Sequence, residues 1–294
     1  MNIISLDTTD STNEEAKRRL RAAAAENPGS EKELFDTAIT ARKQTAGKGR
    51  RGRSFYSPDT RDSLYISFIL SPPVQHKSLQ LLTVAAAVAV SLSIEEILAD
   101  SDDTTQHPTI KWVNDVLIDG KKICGILAES VFSDNDEGLR SGSAMTGDSS
   151  LAPRMTEGGS ALRGIVLGIG ININMRDEDF PDELRGIAGS LKLGEYGHEH
   201  LSEILCKNMS GIYKDMESGK ANIVLDLYRK FESTTGRRVR ILKHVKDGET
   251  QGANEIPAYA KAIADDGGLV VVHDDGSEEV LRSGEISIRD AAFE

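Results

Sequence analysis

The longest apolar stretch of the chain, residues 77 to 99, restricts the possible folds more than any other segment. Its sequence, KSLQLLTVAAAVAVSLSIEEILA, is apolar on almost every side in its first half and amphipathic in its second half. A helix that is apolar all round has to be buried against other elements. Strand-like segments lie before and after it in the chain, so we predict a core helix packed against a sheet.

The remaining segments of the first 234 residues alternate between strand and helix patterns. A cap at Ser11 with Glu14 three places later predicts a helix that begins at Ser11 and stops before Asn27-Pro28-Gly29. The Asp119-Gly120 pair predicts a tight hairpin turn between two strands. Further strands are predicted within residues 34–44, 62–70, 109–118, 121–130 and 164–174, and two late helices within residues 202–219 and 221–233.

The pattern changes after Thr235-Gly236. Short alternating runs separated by Gly and Asp turns predict a small all-β barrel over residues 235–294. Residues 131–163 are polar and rich in Ser and Gly, which predicts a disordered insertion. We therefore expect an α+β protein in which a mixed sheet flanked by helices, residues 1–234, precedes the small β domain.

A basic decapeptide, QTAGKGRRGR at residues 44–53, stands out in a chain with a formal net charge of -12. It matches the dinucleotide spacing G-x-G-x-x-G, but no buried strand runs into the glycines and no helix follows them. The Walker A spacing is absent. The decapeptide therefore predicts a loop between two strands whose backbone N–H groups and guanidinium groups bind a phosphate. The alternative is a solvated basic loop with no ligand.

Polar residues also interrupt two apolar strands. In KWVNDV, residues 111–116, strand alternation places Lys111, Val113 and Asp115 on one face and Trp112 and Asn114 on the other. A simple surface ion pair would explain Asp115 equally well. Two amides, Asn172 and Asn174, interrupt the strand GIGININ and need buried partners or a ligand. Together with the basic loop, these residues suggest a single pocket.

Five motifs in order resemble those of the biotin protein ligases, the family that joins biotin to carboxyl carrier domains. They are DSTN at 10–13, QTAGKGRRGR at 44–53, KWVNDV with GKKICGIL at 111–127, GIGININ at 168–174 and GEISIR at 284–289. The resemblance covers nearly the whole chain apart from the insertion. It implies a class II synthetase-like fold with a C-terminal SH3-like β-barrel. Lys48 departs from the Arg of many members, and Val113 from the usual Pro.

The resemblance assigns three overlapping groups of residues to the site. The catalytic residues would be Lys122, Asp115 and Arg50, with Asp115 orienting the incoming lysine or accepting its proton. The biotin-binding residues would be Ser11, Thr12, Asn13, Gln44, Gly47, Lys48, Gly49, Arg50, Lys122 and Gly125. The nucleotide-binding residues would be Arg50, Arg51, Arg53, Phe55, Asn114, Lys122, Asn172 and Arg289. No residue is assigned as a metal ligand.

The implied reaction has two steps. Biotin and ATP, with Mg²⁺ as part of the co-substrate, form biotinyl-5′-AMP, and a lysine of a biotin carboxyl carrier domain of a carboxylase then takes the biotin. A lipoate-type ligase and a non-catalytic biotin-binding module are the alternatives. DSTN begins at residue 10, so we expect the monofunctional type without a DNA-binding domain, and no DNA binding.

Composition supports a location in the cytoplasm. Two cysteines, Cys124 and Cys206, in 294 residues predict reduced thiols and a reducing compartment, although an organellar form stays open. No apolar run of about 18 residues lacks a polar break, and residues 1–10 lack a signal-peptide pattern, so we expect no membrane segment. We expect a monomer or a homodimer.

Overall fold

The computed structural model describes residues 1–50, 53–58, 62–72, 79–99, 106–132, 162–194, 197–243, 254–282 and 285–288. The strands of the large sheet are β1 (Asn2–Thr9), β2 (Thr37–Gln44), β3 (Ser63–Leu70), β4 (Thr109–Lys111), β5 (Asp115–Ile118), β6 (Lys121–Phe132) and β7 (Leu162–Asn172). The helices are α1 (Thr12–Glu26), α2 (Leu79–Ala99), α3 (Gly197–Glu217) and α4 (Ala221–Phe231). Short 3-10 turns lie at Ser30–Leu34 and Asp177–Asp179.

The large sheet is mixed, as predicted. Its strand order is β1-β2-β3-β7-β6-β5-β4, with β1 parallel to β2 and all other neighbours antiparallel. The edge strand β1 was not predicted. Only Ile4 and Leu6 of this strand pack, partly buried, against the core, so its apolar alternation is too short to stand out in the sequence.

Helices cover both faces of the sheet. On one face α2 packs against the strands and against α3 and α4, and residues 84–90 of α2 are completely buried. On the other face α1 buries Ala16 and Leu20 against Ile39, Ile69 and Val166. The prediction of a core helix against a sheet is therefore confirmed.

The same helix is long and apolar enough to cross a membrane. Within residues 80–99, an 18-residue segment has a mean hydropathy of 1.9, and 72% of that segment is buried inside the fold. A buried core helix can have the same length and composition, so the expectation of no membrane segment stays a prediction.

The predicted first helix begins as expected, but its predicted capping box does not form. Ser11 is the N-cap residue, yet its side chain makes no capping hydrogen bond. Glu14 instead forms ion pairs with Lys17, at 2.7 Å, and with Lys48 of the basic loop. These two cations draw the Glu14 carboxylate away from the helix end.

The hairpin at Asp119-Gly120 is confirmed, with φ of 50° and 74° at the two turn residues. The continuous strand over residues 109–118 is wrong. Residues 112–114 form a turn between β4 and β5, with a cis peptide bond between Trp112 and Val113. Lys111 consequently pairs opposite Asp115 on the neighbouring strand. The proposed alternation of residues 111–115 between two faces does not occur.

The C-terminal segment forms a second, smaller sheet. Its strands are β8 (Arg238–Lys243), β9 (Asn254–Ile263), β10 (Leu269–His273), β11 (Glu278–Leu281) and β12 (Glu285–Ile288). All neighbours are antiparallel in the order β11-β10-β9-β8-β12. In the described part of the chain this sheet is open, since β11 and β12 are not paired with each other.

The predicted insertion overlaps two strands of the large sheet. Val131 and Phe132 end β6, and Leu162 and Arg163 begin β7, so the predicted limits of 131 and 163 each lie two residues too far into a strand. Residues 133–161 lie outside the described residues.

Candidate active site

One cavity of about 380 Å³ lies where the start of α1, the basic loop and strands β4 to β7 meet. Its volume is within the range of small-molecule sites. It is lined by Ser11, Thr12, Asn13, Gln44, Lys48, Gly49, Arg50, Arg53, Ser54, Phe55, Tyr65, Lys111, Trp112, Asn114, Asp115, Lys122, Gly125, Ile126, Leu127, Gly168, Ile169, Gly170 and Leu242.

The basic loop joins β2 to β3, as predicted, and folds back on itself as a small hairpin. Gly49 N–H donates to the Arg53 carbonyl at 2.7 Å, and Phe55 N–H donates to the Gly47 carbonyl at 3.0 Å. Between these two hydrogen bonds, Lys48 and Ser54 form an antiparallel β-bridge. The hairpin places the three cationic side chains Lys48, Arg50 and Arg53 on the cavity wall.

Two side-chain contacts are among those that attach this loop to the rest of the domain. Lys48 forms an ion pair with Glu14 of α1. Arg50 Nη1 donates to Asn114 Oδ1 at 2.7 Å, and Asn114 Nδ2 donates to the Ile126 carbonyl at 3.1 Å. Asn114 therefore holds the Arg50 guanidinium against the sheet.

The opposite wall carries an ion pair between Lys122 and Asp115. Lys122 Nζ lies 2.7 Å from Asp115 Oδ1, and the two side chains are 36% and 23% exposed. Lys111 lies directly across the sheet from Asp115 and also lines the cavity. The cavity wall thus has five cationic side chains and one carboxylate in a protein of net charge -12. This arrangement favours anionic ligands.

The other end of the cavity is lined by a network of buried uncharged side chains, which ends on the partly buried Glu129 carboxylate. Gln44 Oε1 accepts hydrogen bonds from Thr12 N–H at 2.7 Å and from the Thr12 hydroxyl at 3.2 Å. Ser67 Oγ donates to Asn13 Oδ1 at 2.6 Å, and Asn13 Nδ2 donates to Glu129 at 2.8 Å. These bonds hold the side chains in one orientation, which suits recognition of a polar, uncharged group.

Glycines form the floor of the cavity. A Cβ on Gly168 would lie 2.0 Å from Asn13 Oδ1, and a Cβ on Gly170 would lie 2.8 Å from the ring of Phe55. The ring of Phe55 also packs edge-on against Tyr65, with centroids 6.3 Å apart. Any side chain at these two glycines would therefore fill the space between the network and the aromatic rings.

The sequence profile of the Biotin/lipoate A/B protein ligase family matches residues 7–142. The match covers a little under half of the chain. It contains the basic loop, Asn114, Asp115 and Lys122, all of which line the cavity. The recognition made from the five motifs is therefore confirmed.

Individual members of the biotin/lipoate ligase family match with different coverage. The bifunctional ligase/repressor BirA of Bacillus subtilis is 37% identical over 155 residues, which is 53% of this chain and 38% of that protein. The chain thus matches well under half the length of this relative. The biotin--[acetyl-CoA-carboxylase] ligase of Mycobacterium tuberculosis is 24% identical over 281 residues, or 95% of this chain and 85% of that protein.

The biotin protein ligase from Aquifex aeolicus in complex with biotin and ATP has the same fold. The two structures superpose with a TM-score of 0.67 over 99% of both chains, at 24% sequence identity. This similarity covers both sheets of the present structure. It confirms the α+β architecture expected for the biotin/lipoate ligase family.

Most of the residues that the family resemblance assigned do meet in the cavity. They are Ser11, Thr12, Asn13, Gln44, Lys48, Gly49, Arg50, Arg53, Phe55, Asn114, Asp115, Lys122 and Gly125. Gly47 lies just outside the lining, where a Cβ would come within 2.4 Å of Ser57 Oγ. Arg51 and Arg289 lie outside the described residues.

Asn172 does not line this cavity, and its assignment to the nucleotide stays a prediction. Its Nδ2 donates to the Gly189 carbonyl at 3.0 Å. Asn174 likewise binds the backbone of Gly194, donating at 2.7 Å and accepting at 2.9 Å. The side-chain nitrogens of both amides thus bind the backbone of one loop, because β7 ends at Asn172 and the chain returns beside it.

Several residues that line the cavity were not predicted. Lys111, Tyr65, Gly168, Gly170 and Leu242 all contribute to the cavity. The alternate glycines of β7 could have been predicted to line the cavity. Residues two apart in a strand face the same side, so glycines at alternate positions leave that side of the strand without side chains. Leu242 belongs to β8 of the small sheet. The residues around it in the sequence predict a strand but do not indicate that Leu242 lies near the cavity.

Both cysteines are free and buried. Burial raises the pKa of Cys124 far above the ordinary thiol value, and that of Cys206 to about 11. Cys124 neighbours Gly125 but does not line the cavity. Within the described residues, no group of three or more His, Cys, Asp or Glu side chains is arranged to hold a metal ion.

Proposed function

We propose that this protein is an ATP-dependent biotin protein ligase. It would form biotinyl-5′-AMP from biotin and Mg-ATP and transfer the biotin to a lysine of a biotin carboxyl carrier domain. One observation carries the proposal. The basic loop, the Lys122–Asp115 ion pair and the buried amide network lie around one cavity large enough for an acyl-adenylate.

The first step brings two anions together. The biotin carboxylate attacks the α-phosphorus of ATP, a carboxylate oxygen–phosphorus bond forms, and pyrophosphate leaves with its magnesium. The reaction requires cations that offset the repulsion and the charge on the transferring phosphoryl group. Lys48, Arg50 and Lys122 are cationic side chains on the wall of this cavity.

The second step is attack by an amine on the mixed anhydride. The carrier lysine forms an amide bond to the biotinyl carbon, AMP leaves, and the amine loses a proton. Asp115 is the single carboxylate among the lining residues of this cavity, which supports it as the group that orients the amine or accepts the proton. Lys122, now 2.7 Å away, would turn from Asp115 toward the phosphate.

The amide network would bind the biotin head. Biotin carries an uncharged ureido ring with two N–H donors and one carbonyl acceptor. Ser11, Thr12, Asn13 and Gln44 are nearly fully buried and surround the glycine floor. The Mycobacterium tuberculosis relative is a biotin--[acetyl-CoA-carboxylase] ligase, and the Aquifex structure contains biotin and ATP, which supports biotin over lipoate.

The nucleotide side of the site would combine Arg53, Phe55 and Asn114, with Arg51 and Arg289 as further candidates. Phe55 now lies on the floor, over Gly125 and Gly170. Stacking on adenine would therefore use its exposed ring face or a movement of the loop. We also propose that the small sheet closes as an SH3-like barrel in the complete chain.

We propose that the protein works in the cytoplasm as a monomer or homodimer and binds neither DNA nor membranes. The net charge of -12 opposes contact with phosphate backbones, and the two buried free thiols suit a reducing compartment. Size-exclusion chromatography with light scattering measures the subunit number directly.

The decisive experiment incubates the protein with Mg-ATP and either biotin or lipoate, and identifies the acyl-adenylate by mass spectrometry. Biotinyl-AMP alone is the expected product. Formation of lipoyl-AMP would instead identify the protein as a lipoate ligase. Binding of biotin without formation of any adenylate would indicate a non-catalytic module. Adding a biotin carboxyl carrier domain then tests the second step as a mass increase on one lysine.

A further inference from the structure

Glu129 lies at the end of the buried network, beyond the cavity itself. It follows Gly125 and Leu127 at alternate positions of β6, so its side chain is on the same face of the sheet as these two lining residues. Both of its carboxylate oxygens bind side chains of α1. Oε2 accepts from Asn13 Nδ2 at 2.8 Å, and Oε1 accepts from Lys17 Nζ at 3.0 Å. Glu129 therefore joins β6 to the start of α1 beside the cavity.

The Glu129 carboxylate fixes which way round the Asn13 amide lies. An ionised carboxylate can only accept hydrogen bonds, so the Asn13 NH2 group has to face it and Oδ1 has to face away. Lys17, which is 9% exposed, supplies the countercharge. On the far side, Asn13 Oδ1 lies 2.6 Å from Ser67 Oγ. An amide oxygen can only accept, so the single hydroxyl proton of Ser67 is donated to Asn13.

The same reasoning extends from Ser67 to Thr12, which lines the cavity. Ser67 Oγ lies 2.8 Å from Thr12 Oγ1, and Gln44 Oε1 lies 3.2 Å from it. Because Asn13 takes the Ser67 proton, the Thr12 hydroxyl proton is directed to Ser67 or to Gln44. In both cases that proton stays within the network. The Thr12 oxygen then offers a ligand only lone pairs, which accept from an N–H donor.

We propose that Glu129 is a positioning residue that sets the direction of the hydrogen bonds in this network, and so favours a ligand ring with N–H donors. The inference rests on the proposed function, in which the biotin head occupies this end of the cavity. The ureido ring of biotin has two N–H donors, whereas the dithiolane ring of lipoate has none. Glu129 is not a lining residue, so it acts through Asn13 and Ser67.

The first test is Glu129→Gln, which keeps the size of the side chain but can donate as well as accept. The Asn13 amide can then lie either way round, and the Ser67 proton is no longer committed to it. We expect KM for biotin to rise by about 5- to 50-fold, because a buried polar group that loses a correctly oriented partner is costly. KM for ATP and kcat at saturating biotin stay within about twofold, since no group near the phosphates changes.

Glu31→Gln is the matched control. Glu31 is also a buried carboxylate, 5% exposed, and it pairs with Arg163 at 3.1 Å and accepts from Gly29 N–H at 2.8 Å. None of these three residues lines the cavity. We expect a comparable loss of thermal stability, with KM for biotin unchanged.

Ser67→Ala tests the connection between Glu129 and the ligand. It removes the hydroxyl between Asn13 and Thr12 and leaves the contact of Glu129 with Asn13 in place. Because Glu129 acts through Ser67, the double variant with Glu129→Gln should have the same KM for biotin as Ser67→Ala alone. Multiplication of the two effects would show that they are independent and would overturn the proposal.

NMR of the ligand-free protein gives a measurement that does not depend on activity. In the wild type, the side-chain NH2 protons of Asn13 should exchange slowly with solvent, because they are buried against the carboxylate. Rapid exchange in the wild type overturns the proposal even where Glu129→Gln does not fold. An unchanged KM for biotin in folded Glu129→Gln overturns it too, as does an equal rise in Glu31→Gln. If the wild type binds no biotin, the proposed function fails, while the NMR measurement still decides whether Glu129 orients Asn13.

Discussion

At the residue scale, two adjacent lysines show that identical side chains have different partners in different surroundings. Lys121 reaches Asp177 on the surface at 3.3 Å, whereas Lys122 pairs with Asp115 inside the cavity at 2.7 Å. Their sequence contexts are nearly the same, and strand alternation sends the two side chains in opposite directions. The family motif identified Lys122, and the structure supplies the physical reason.

Lys122→Ala removes a cavity cation and leaves Asp115 without its partner. We expect biotin-dependent release of pyrophosphate to fall below about 1% of wild type, since a lost charge at a transferring phosphoryl group costs about 3–4 kcal/mol. A coupled pyrophosphate assay measures the rate. Lys121→Ala is the control and keeps wild-type turnover. Full activity of Lys122→Ala contradicts the assignment.

The two thiols provide a residue-scale prediction about reactivity. A thiol reacts with iodoacetamide as the thiolate, and burial raises the pKa of Cys206 to about 11 and that of Cys124 further. At pH 8 both pKa values lie above the solution pH, so the folded protein is alkylated slowly. Mass spectrometry should show two rapid additions in denaturant. Rapid labelling of Cys124 in the native protein would show that its side chain is accessible.

At the element scale, the basic loop depends on α1. Burial opposes ionisation of Glu14, but hydrogen bonds from Lys17 and Lys48 outweigh it and hold the pKa of the Glu14 carboxyl below its usual value. The ion pair with Lys48 therefore persists at neutral pH. Lys48 is 49% exposed, so the contact contributes about 0–1 kcal/mol. Lys48 also lacks the paired donors that an Arg would offer a phosphate.

Glu14→Gln should loosen the loop and release the adenylate more readily. We expect release of preformed biotinyl-AMP to become about two- to fivefold faster, because an exposed ion pair is worth up to about 1 kcal/mol. Dilution of the labelled complex into excess unlabelled ligand measures the rate. Glu15→Gln is the control, since Glu15 pairs with Arg18 and Arg19 on α1 instead.

Arg50→Gly tests the second attachment of the same loop. It removes both a cavity cation and the hydrogen bond to Asn114, so biotinyl-AMP should be released faster than from Glu14→Gln. Lys48→Arg should act in the opposite direction and slow release. Retention equal to wild type in Arg50→Gly would mean that the loop does not hold the intermediate.

At the scale of the whole molecule, the small sheet packs on the core helix and the cavity wall. The Gly267 carbonyl accepts hydrogen bonds from Gln80 Nε2 at 2.7 Å and from Trp112 Nε1 at 3.1 Å. Apolar residues of β8 to β11 join the same buried cluster as α2. Leu242 extends from this small sheet to the cavity, so docking of the two sheets completes the site.

Gln80→Leu removes one docking hydrogen bond without touching the cavity. We expect the free energy of unfolding to fall by about 0.5–1.5 kcal/mol in a single transition, since the two sheets share one apolar cluster. Denaturant titration followed by circular dichroism measures the change. Lys207→Ala, which breaks an exposed pair with Glu96, should change stability by less than about 0.5 kcal/mol. Two separate transitions would show that the sheets unfold independently.

Features that depend on neighbours in the chain were predictable from the sequence. The apolar run of α2 has to be buried, Asp119 and Gly120 have the conformational freedom of a tight hairpin turn, and the glycine-rich basic segment has to be a loop. The chemical groups of the site were likewise predictable, because motif order identified Lys122, Asp115 and the polar residues at the start of α1.

Only the tertiary structure decided what these side chains touch. Glu14 forms an ion pair with Lys48 rather than a bond to its own helix end, Asn172 donates a hydrogen bond to the Gly189 carbonyl, and Leu242 reaches the cavity from the second sheet. Each of these contacts joins segments far apart in the chain. Their geometry depends on how the sheets and helices pack, and local sequence patterns carry no information about that packing.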